Sequence, residues 1–400
     1  MSWKEMSLLV RRLKFAKLAL KNQQSMAELC RLFGISRKTG YKWKARFEAQ
    51  GASGLRDRTR CPKRSPRRVS PKWIERIRRL RRRQWSWGSR KLAARLRQEH
   101  PGKKVPSART VGKWLKRLGL NRGYRRKSWR GPQLVRPSLR LATRSNQVWT
   151  VDFKGWFRTQ DGQRVEPLTV RDLFTRYLLS IRLFPNQDWL AVRRVFRSLF
   201  RRHGYPQVIR MDNGAPFGTT GPAGLSRLSA WWIALGIRVE FIMPGHPEQN
   251  GAHEQMHRVF KAETTRPPSV HLHAQQRRTN RWVQVYNQIR PHEGVNQRPP
   301  AKVYRPKPQG ERRVKLQYTN IMAVRRVRSN GQIKWRGRKR FIGEAFVGYP
   351  VGLKEINREK WAVYFGHTLI GQLWESDPGG IRPTRYARRF GKPKRKPRKN

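Results

Sequence analysis

Acidic residues are scarce for a chain of this size: 23 Asp and Glu stand against 93 Lys and Arg, a formal net charge of +70 over 400 residues. That surplus is far beyond what solubility requires, and its natural counterpart is a large polyanion. Cysteine is nearly absent too. Cys30 and Cys61 are too few and too far apart for a zinc cluster or a disulfide framework, and Cys30 reads as core on an apolar helical face. No apolar run approaches the roughly 20 residues of a spanning helix, and the opening MSWKEMSLLVRR lacks a signal-peptide pattern. These absences favour nucleic acid over a membrane surface and predict a cytoplasmic, nucleoid-associated setting. What is present suffices for folding: 36% hydrophobic and 10% aromatic residues supply cores, and the length suits roughly two to four domains.

The charge follows an organisation. In SMAELCRLFGISRKTGYKWKARF, Met26, Leu29, Cys30 and Phe33 recur at helical spacing behind a capping Ser25, and Gly34 breaks the helix. Ser36 caps a second helix carrying Arg37, Lys38, Thr39, Lys42 and Lys44, the side chains placed to meet DNA. An earlier helix with Leu9, Leu13, Ala16 and Leu20 on one face completes a helix-turn-helix unit, residues 1–50, whose second motif helix suits a major groove. A basic linker, 51–69, leads to a second helix-turn-helix or winged-helix-like domain, 70–123. There Ser70-Pro71 opens a helix, WGSRKLAARL forms another, and Ser107 caps a third with Val111, Trp114, Leu115 and Leu118 inward. Arg109 and Lys113 are its candidate DNA contacts. Basic helices are also ordinary solvated surface, and the charge and turn placement are what favour DNA.

A second basic linker, 124–145, ends where the texture changes. QVWTVDFKGWF, VEPLTV and RYLLSIRLF read as three antiparallel strands. A helix with Trp189, Val192, Val195, Phe196, Leu199 and Phe200 inward follows, then a strand QVIRM, a helix through LSRLSAWWIALG, a strand IRVEFI and a long helix from about Gln249. The order β-β-β-α-β-α-β-α is that of a ribonuclease-H-like core, an α/β fold. Asp152 falls inside the first strand, Asp212 at the end of the fourth, and Glu254 in the first turns of the helix after the last. Three carboxylates suit hard divalent cations, and two such ions about 4 Å apart serve in-line phosphodiester displacement.

VWTVDF, VIRMDNGAPF and PGHPEQNGAHEQMHRVFK resemble the three catalytic blocks of DDE-type insertion-sequence transposases with a retroviral-integrase-like core, and YNQIRPHEGVNQRPPAKVY resembles the segment closing that core. The resemblance covers roughly Gln147 to Tyr304 within a core of 146–304. It implies a bacterial mobile-element enzyme in which Asp152, Asp212 and Glu254 bind two divalent metal ions, Mg²⁺ or Mn²⁺. It also implies double-stranded DNA (element inverted repeats and target) as partner, 3′-end cleavage followed by strand transfer, and a homo-oligomer of at least two chains. Lys261, seven residues after Glu254 and on roughly the same helical face, and Asn250 match positions touching the DNA end. The gap of 41 residues between Asp212 and Glu254 is longer than in retroviral integrases, with the excess in GTTGPAGLSRLS. Asp172 is the nearest rival to Asp152.

His253-Glu254-Gln255-Met256-His257 also spells H-E-x-x-H, a zinc metalloprotease motif. No third zinc ligand stands out. The same residues would also suit a non-catalytic DNA-binding protein with a decayed core, or a nuclease acting on hybrids. Beyond Pro308 short strands separated by Asn-Gly, Gly-Arg and Gly-His turns predict a small all-β, SH3-like barrel, 311–376, which serves DNA binding in integrases. From Arg385 to Asn400 nine of sixteen residues are Lys or Arg, so 381–400 reads as a disordered basic tail.

Overall fold

A computed structural model describes residues 8–58, 69–121, 139–153, 155–243, 251–314, 316–377 and 379–382. The chain forms two compact units, Met1–Arg68 and Val69–Asn400.

In the first unit α1 (Leu8–Leu20), α2 (Met26–Phe33) and α3 (Arg37–Gln50) surround one small core. Ser25 and Glu28 form a reciprocal capping box at the start of α2, and Gly34, at φ 63°, ends it. Along α1 the inward stripe is Phe15, Ala16 and Ala19, whereas Leu9 and Leu20 are 39% and 40% exposed. The helix is therefore rotated from the expected leucine face, and the Phe15 ring, 5.3 Å from that of Phe33, takes the centre. Gly40 lies where α3 crosses α2: a Cβ there would stand 2.4 Å from Cys30 Sγ. The expected linker begins later than residue 50, because residues 51–55 form a 3-10 turn whose Leu55 is fully buried and accepts from Arg12 at 2.9 Å.

The second unit opens with α4 (Pro71–Arg83), α5 (Ser89–Glu99) and α6 (Ala108–Arg117), packed through Ile77, Trp87, Leu92, Leu96, Val111 and Leu115. No strand accompanies these helices among the described residues from 69 to 121, so the winged variant is not seen. The basic stretch from 124 to 138 lies outside the described residues. Residues 139–145 are fastened to the sheet domain: Arg140 O accepts from Arg210 at 2.7 Å and Ser145 Oγ donates to Arg305 O at 3.1 Å.

The core sheet contains β1 (Val148–Phe153), β2 (Phe157–Arg158), β3 (Arg164–Asp172), β4 (Leu178–Phe184), β5 (Val208–Met211) and β6 (Arg238–Phe241). β3 is antiparallel to β1, β2 and β4, while β1, β5 and β6 run parallel. Interleaved are α7 (Trp189–His203), α8 (Arg227–Ala234), α9 (Gly251–Thr264) and α10 (Leu272–Gln288). The one long helix expected from about 249 is thus two helices. Pro267 and Pro268 fall in the break, where neither supplies an amide hydrogen to a helix. Alternation gives the sheet two unlike faces. Trp149, Val151, Leu168, Val170, Ile209 and Met211 join α7 and α8 in an apolar core. The opposite face, toward α9 and α10, carries Thr150, Asp152, Thr169 and Arg171.

β4 is an edge strand whose outer backbone groups are met by side-chain amides of α10. Gln276 accepts from Leu183 N at 2.9 Å and donates to Ile181 O at 3.0 Å; Asn287 accepts from Leu178 N at 2.9 Å and donates to Leu178 O at 2.8 Å.

The C-terminal region is antiparallel: β7 (Ala323–Arg326), β10 (Pro350–Asn357), β11 (Lys360–Phe365) and β12 (Thr368–Trp374) form one sheet, and β8 (Gln332–Trp335) with β9 (Arg338–Phe341) a hairpin. No continuous ladder closes these into a barrel among the described residues. Residues 380–382 stitch the two parts instead, bridging Phe341 and Gln372. Ile381 and Arg382 therefore belong to this fold and not to a disordered tail; residues 383–400 lie outside the described residues. The insertion GTTGPAGLSRLS packs here as well, its Ala223 and Leu225 buried with Val327, Ile333 and Phe346.

Candidate active site and DNA interface

The parallel ladder between β1 and β5 pairs Val148 with Val208, Trp149 with Ile209 and Thr150 with Arg210. The pairing ends there; Asp152 lies two residues further on in β1 and Asp212 directly follows β5, so both belong to the same end of two neighbouring parallel strands. Asp212 is half-buried, and burial raises its pKa against the opposing pull of the Gly214 amide, which donates to Oδ1 at 3.3 Å. Asn213 turns away and donates to Ile242 O at 2.8 Å, holding the end of β6 to this turn.

α9 sits against these strand ends through four inward side chains, His253, Met256, His257 and Phe260, all nearly inaccessible. The two imidazoles converge on one hydroxyl. Thr169 Oγ1 donates to Asp152 O at 3.0 Å, so its single hydrogen is used, and toward His253 Nε2 (2.6 Å) and His257 Nε2 (2.7 Å) it accepts. His253 Nδ1 then takes the hydrogen of Thr150 Oγ1 at 2.9 Å. Burial, reinforced by His257 and Arg171, holds the His253 pKa well below the ordinary value and keeps this ring neutral. His257 Nδ1 faces Asp152 Oδ2 at 3.6 Å, an ion pair whenever that imidazole is protonated. The H-E-x-x-H pattern thus spells a structural clamp: both imidazoles are turned to threonine hydroxyls.

Glu254 is one residue off this clamped face and is exposed. No three His, Cys, Asp or Glu side chains among the described residues are gathered closely enough to hold a metal. Asp152 and Asp212 belong to the same end of neighbouring strands and Glu254 to the adjoining helix, and the three do not close into one group. Lys261 is exposed two turns on, and Asn250 lies outside the described residues. Asp172, at the opposite end of β3, is fully buried. Its Oδ1 accepts from Thr175 N (2.8 Å) and Oγ1 (2.6 Å), and its Oδ2 from Asn146 N at 2.8 Å. Those bonds fill the carboxylate and give it a turn-holding role.

On α3, Arg37, Lys38 and Lys42 are exposed. Thr39 is taken up by the cap, its hydroxyl 2.9 Å from Ser36 Oγ, and Lys44 turns back to Asn22 Oδ1 at 3.5 Å. On α6, Arg109 and Lys113 are exposed one turn apart.

A further polar centre escaped sequence reading. Glu263, on α9, accepts from Trp282 Nε1 at 2.6 Å, from Arg290 Nη1 at 3.0 and 3.1 Å, and from Ser86 Oγ of the preceding helical domain. Beside it burial, more than the neighbouring Arg290, pushes the Lys91 pKa down to about 8. The only sequence signal was an acid in a segment that has few.

Comparison with known proteins agrees segment by segment. Residues 142–247 and 235–300 match two family descriptions that both read integrase core domain. Residues 7–56 and 39–115 match homeodomain-like domains, and 322–374 the C-terminal domain of IS481 family transposases. A 31.7 kDa uncharacterized protein of insertion element IS407 from Burkholderia multivorans is 31% identical over 179 residues, which are 44% of this chain and 62% of that one. A 39.2 kDa uncharacterized protein of insertion element IS476 from Xanthomonas euvesicatoria is 30% identical over 217 residues, 54% and 60% of the respective chains. The chain thus spans about three fifths of the length of these relatives. Among solved structures, the HTLV-2 integrase catalytic core domain in complex with magnesium aligns at 14% identity, covering 41% of this chain and all of that one, with a TM-score of 0.34. Taken in chain order, the matched segments are similar to homeodomain-like domains, then an integrase core domain, then the C-terminal domain of IS481 family transposases.

Proposed function

We propose that this chain is a DDE transposase that binds the ends of a mobile element, cleaves their 3′ strands and joins them to target DNA. The observation that supports the reading is the parallel pairing of β1 and β5, with Asp152 near the end of one strand and Asp212 just past the end of the other, while α9, which bears Glu254, is tied to the same sheet through Thr169. All-oxygen donors suit hard cations, whereas the imidazoles at 253 and 257 are engaged elsewhere, so the side chains fit Mg²⁺ or Mn²⁺ better than zinc. Asp152, Asp212 and Glu254 would hold two such ions. When bound, they supply positive charge to the phosphate and make water or a 3′-hydroxyl a better nucleophile.

The chain's own residues do the rest. Exposed Arg37, Lys38 and Lys42 on α3, and Arg109 and Lys113 on α6, would meet the inverted repeats, while Lys261, beyond Glu254 on α9, and Asn250 would hold the DNA end. Two ends must be held for joining, which calls for at least two chains. Strand transfer of a labelled element end in Mg²⁺ or Mn²⁺ tests the reading. Asp152→Asn, Asp212→Asn and Glu254→Gln should each abolish joining while gel-shift binding survives. Equal products from wild type and Asp152→Asn would sink the catalytic assignment and leave a DNA-binding protein.

A further inference from the structure

A cavity of about 620 Å³ opens between α7, α8, residues 311–314 and Tyr349 of the C-terminal region. It lies on the α7 and α8 face of the sheet, away from the face that carries Asp152. Its wall holds five arginines, Arg193, Arg197, Arg201, Arg312 and Arg313, against one acid, Glu311. Glu311 pairs with Arg197 at 2.7 Å, and both are more than half exposed, where such a pair is worth little. Like charges gathered this closely cost folding energy unless an anion joins them.

Two of the guanidiniums are already fixed. Arg193 lies 5.1 Å over the Trp231 ring and Arg312 4.4 Å over Tyr205. Arg312 is further held by Gln309 Oε1 at 3.1 Å, and its backbone N–H donates to Tyr205 Oη at 2.9 Å. Arg193 Nε is buried with no hydrogen-bond partner among the described residues. A planar guanidinium held on an aromatic face has lost its rotamer freedom beforehand and presents a rigid fork, the geometry that receives phosphate oxygens in pairs. Arg193, Arg197 and Arg201 also recur every fourth residue, one face of α7 over about 12 Å of axis. That track is longer than one phosphate group and favours a strand over a free ion.

We propose that this cavity binds the phosphodiester backbone of DNA at a site separate from the carboxylates; the inference rests on the reading of the chain as a DNA-binding transposase. The test uses the full chain and a random-sequence duplex, with affinity measured by fluorescence anisotropy across a salt series. Removing one phosphate contact lowers the slope of log affinity against log salt by about 0.9. Arg193→Gln/Arg312→Gln should therefore lower it by nearly two. The control Arg277→Gln/Arg281→Gln removes two exposed arginines of α10, on the other face of the sheet, and should lower it less.

A fall no greater than the control's overturns the proposal. Wild-type protein that does not bind the duplex overturns the functional reading and this inference with it. Phenylglyoxal modification of wild type, read by mass spectrometry, is independent of how the variants fold. Duplex should protect Arg193 and Arg312, and inorganic phosphate should protect them much less. Equal modification with and without duplex refutes the site, and equal protection by phosphate makes it a site for free phosphate instead.

Discussion

Thr169→Val removes one hydroxyl and keeps the shape of the side chain, yet it strikes the point where α9 is fastened to the sheet. In wild type that oxygen accepts from two buried imidazoles at 2.6 and 2.7 Å and donates to the carbonyl of Asp152 at 3.0 Å. The valine leaves two buried N–H groups without an acceptor, and each such loss costs about 1–3 kcal/mol. The expected destabilisation is about 2–6 kcal/mol. With a urea dependence near 3 kcal/mol per molar, the unfolding midpoint falls by about 1–2 M. The same change removes a tie between β1 and the start of α9, and under the proposed reading a displacement near 1 Å at the carboxylates costs about a hundredfold in rate. Denaturation followed by intrinsic fluorescence, together with the strand-transfer assay, reads both effects. Thr169→Ser restores the hydroxyl and should return stability and joining close to wild type. A valine variant within about 1 kcal/mol of wild type that joins DNA normally would refute the clamp.

Gly40→Ala should destabilise the first unit by about 1–3 kcal/mol through overpacking against Cys30 Sγ, 2.4 Å from the new Cβ. Adding Cys30→Ala should recover most of that loss, because the sulfur is the nearest obstacle; hydrogen exchange in α2 and α3 checks both. Lys91 has a folded pKa of about 8 against an ordinary 10.5. The unfolded chain therefore binds the proton more tightly, and the penalty is full below pH 8 and relieved as pH rises toward about 10.5. Lys91→Met should add about 1–3 kcal/mol at pH 7 and flatten the rise in stability across that window, as seen in urea titrations at several pH values.

Periodicity revealed most of the architecture. Ser25, Gly34 and Ser36 mark the first helix boundaries because caps are local chemistry, written in one or two residues. The strand positions of Asp152, inside β1, and Asp212, just after β5, were legible because acids are rare and both adjoin apolar runs. The rotation of α1 was not legible: Phe15 and Leu9 are equally apolar, and only the neighbouring Phe33 decides which turns inward. The break between α9 and α10 was legible at Pro267-Pro268, two residues that a continuous helix does not hold, and the expectation of one long helix passed over it. The histidines misled in the other direction. Their spacing suits a metal, and their actual partners, Thr150 and Thr169, lie on two strands far away in sequence. The cluster around Glu263 depends on Ser86, Trp282 and Arg290 meeting in space, which no local pattern records.

The amides of Gln276 and Asn287 occupy the outer backbone groups of β4. An incoming strand would find those hydrogen-bonding positions already taken. This side of the sheet is therefore closed to templated growth: a strand from another chain could not extend the core sheet at β4 without first displacing two amides of its own helix.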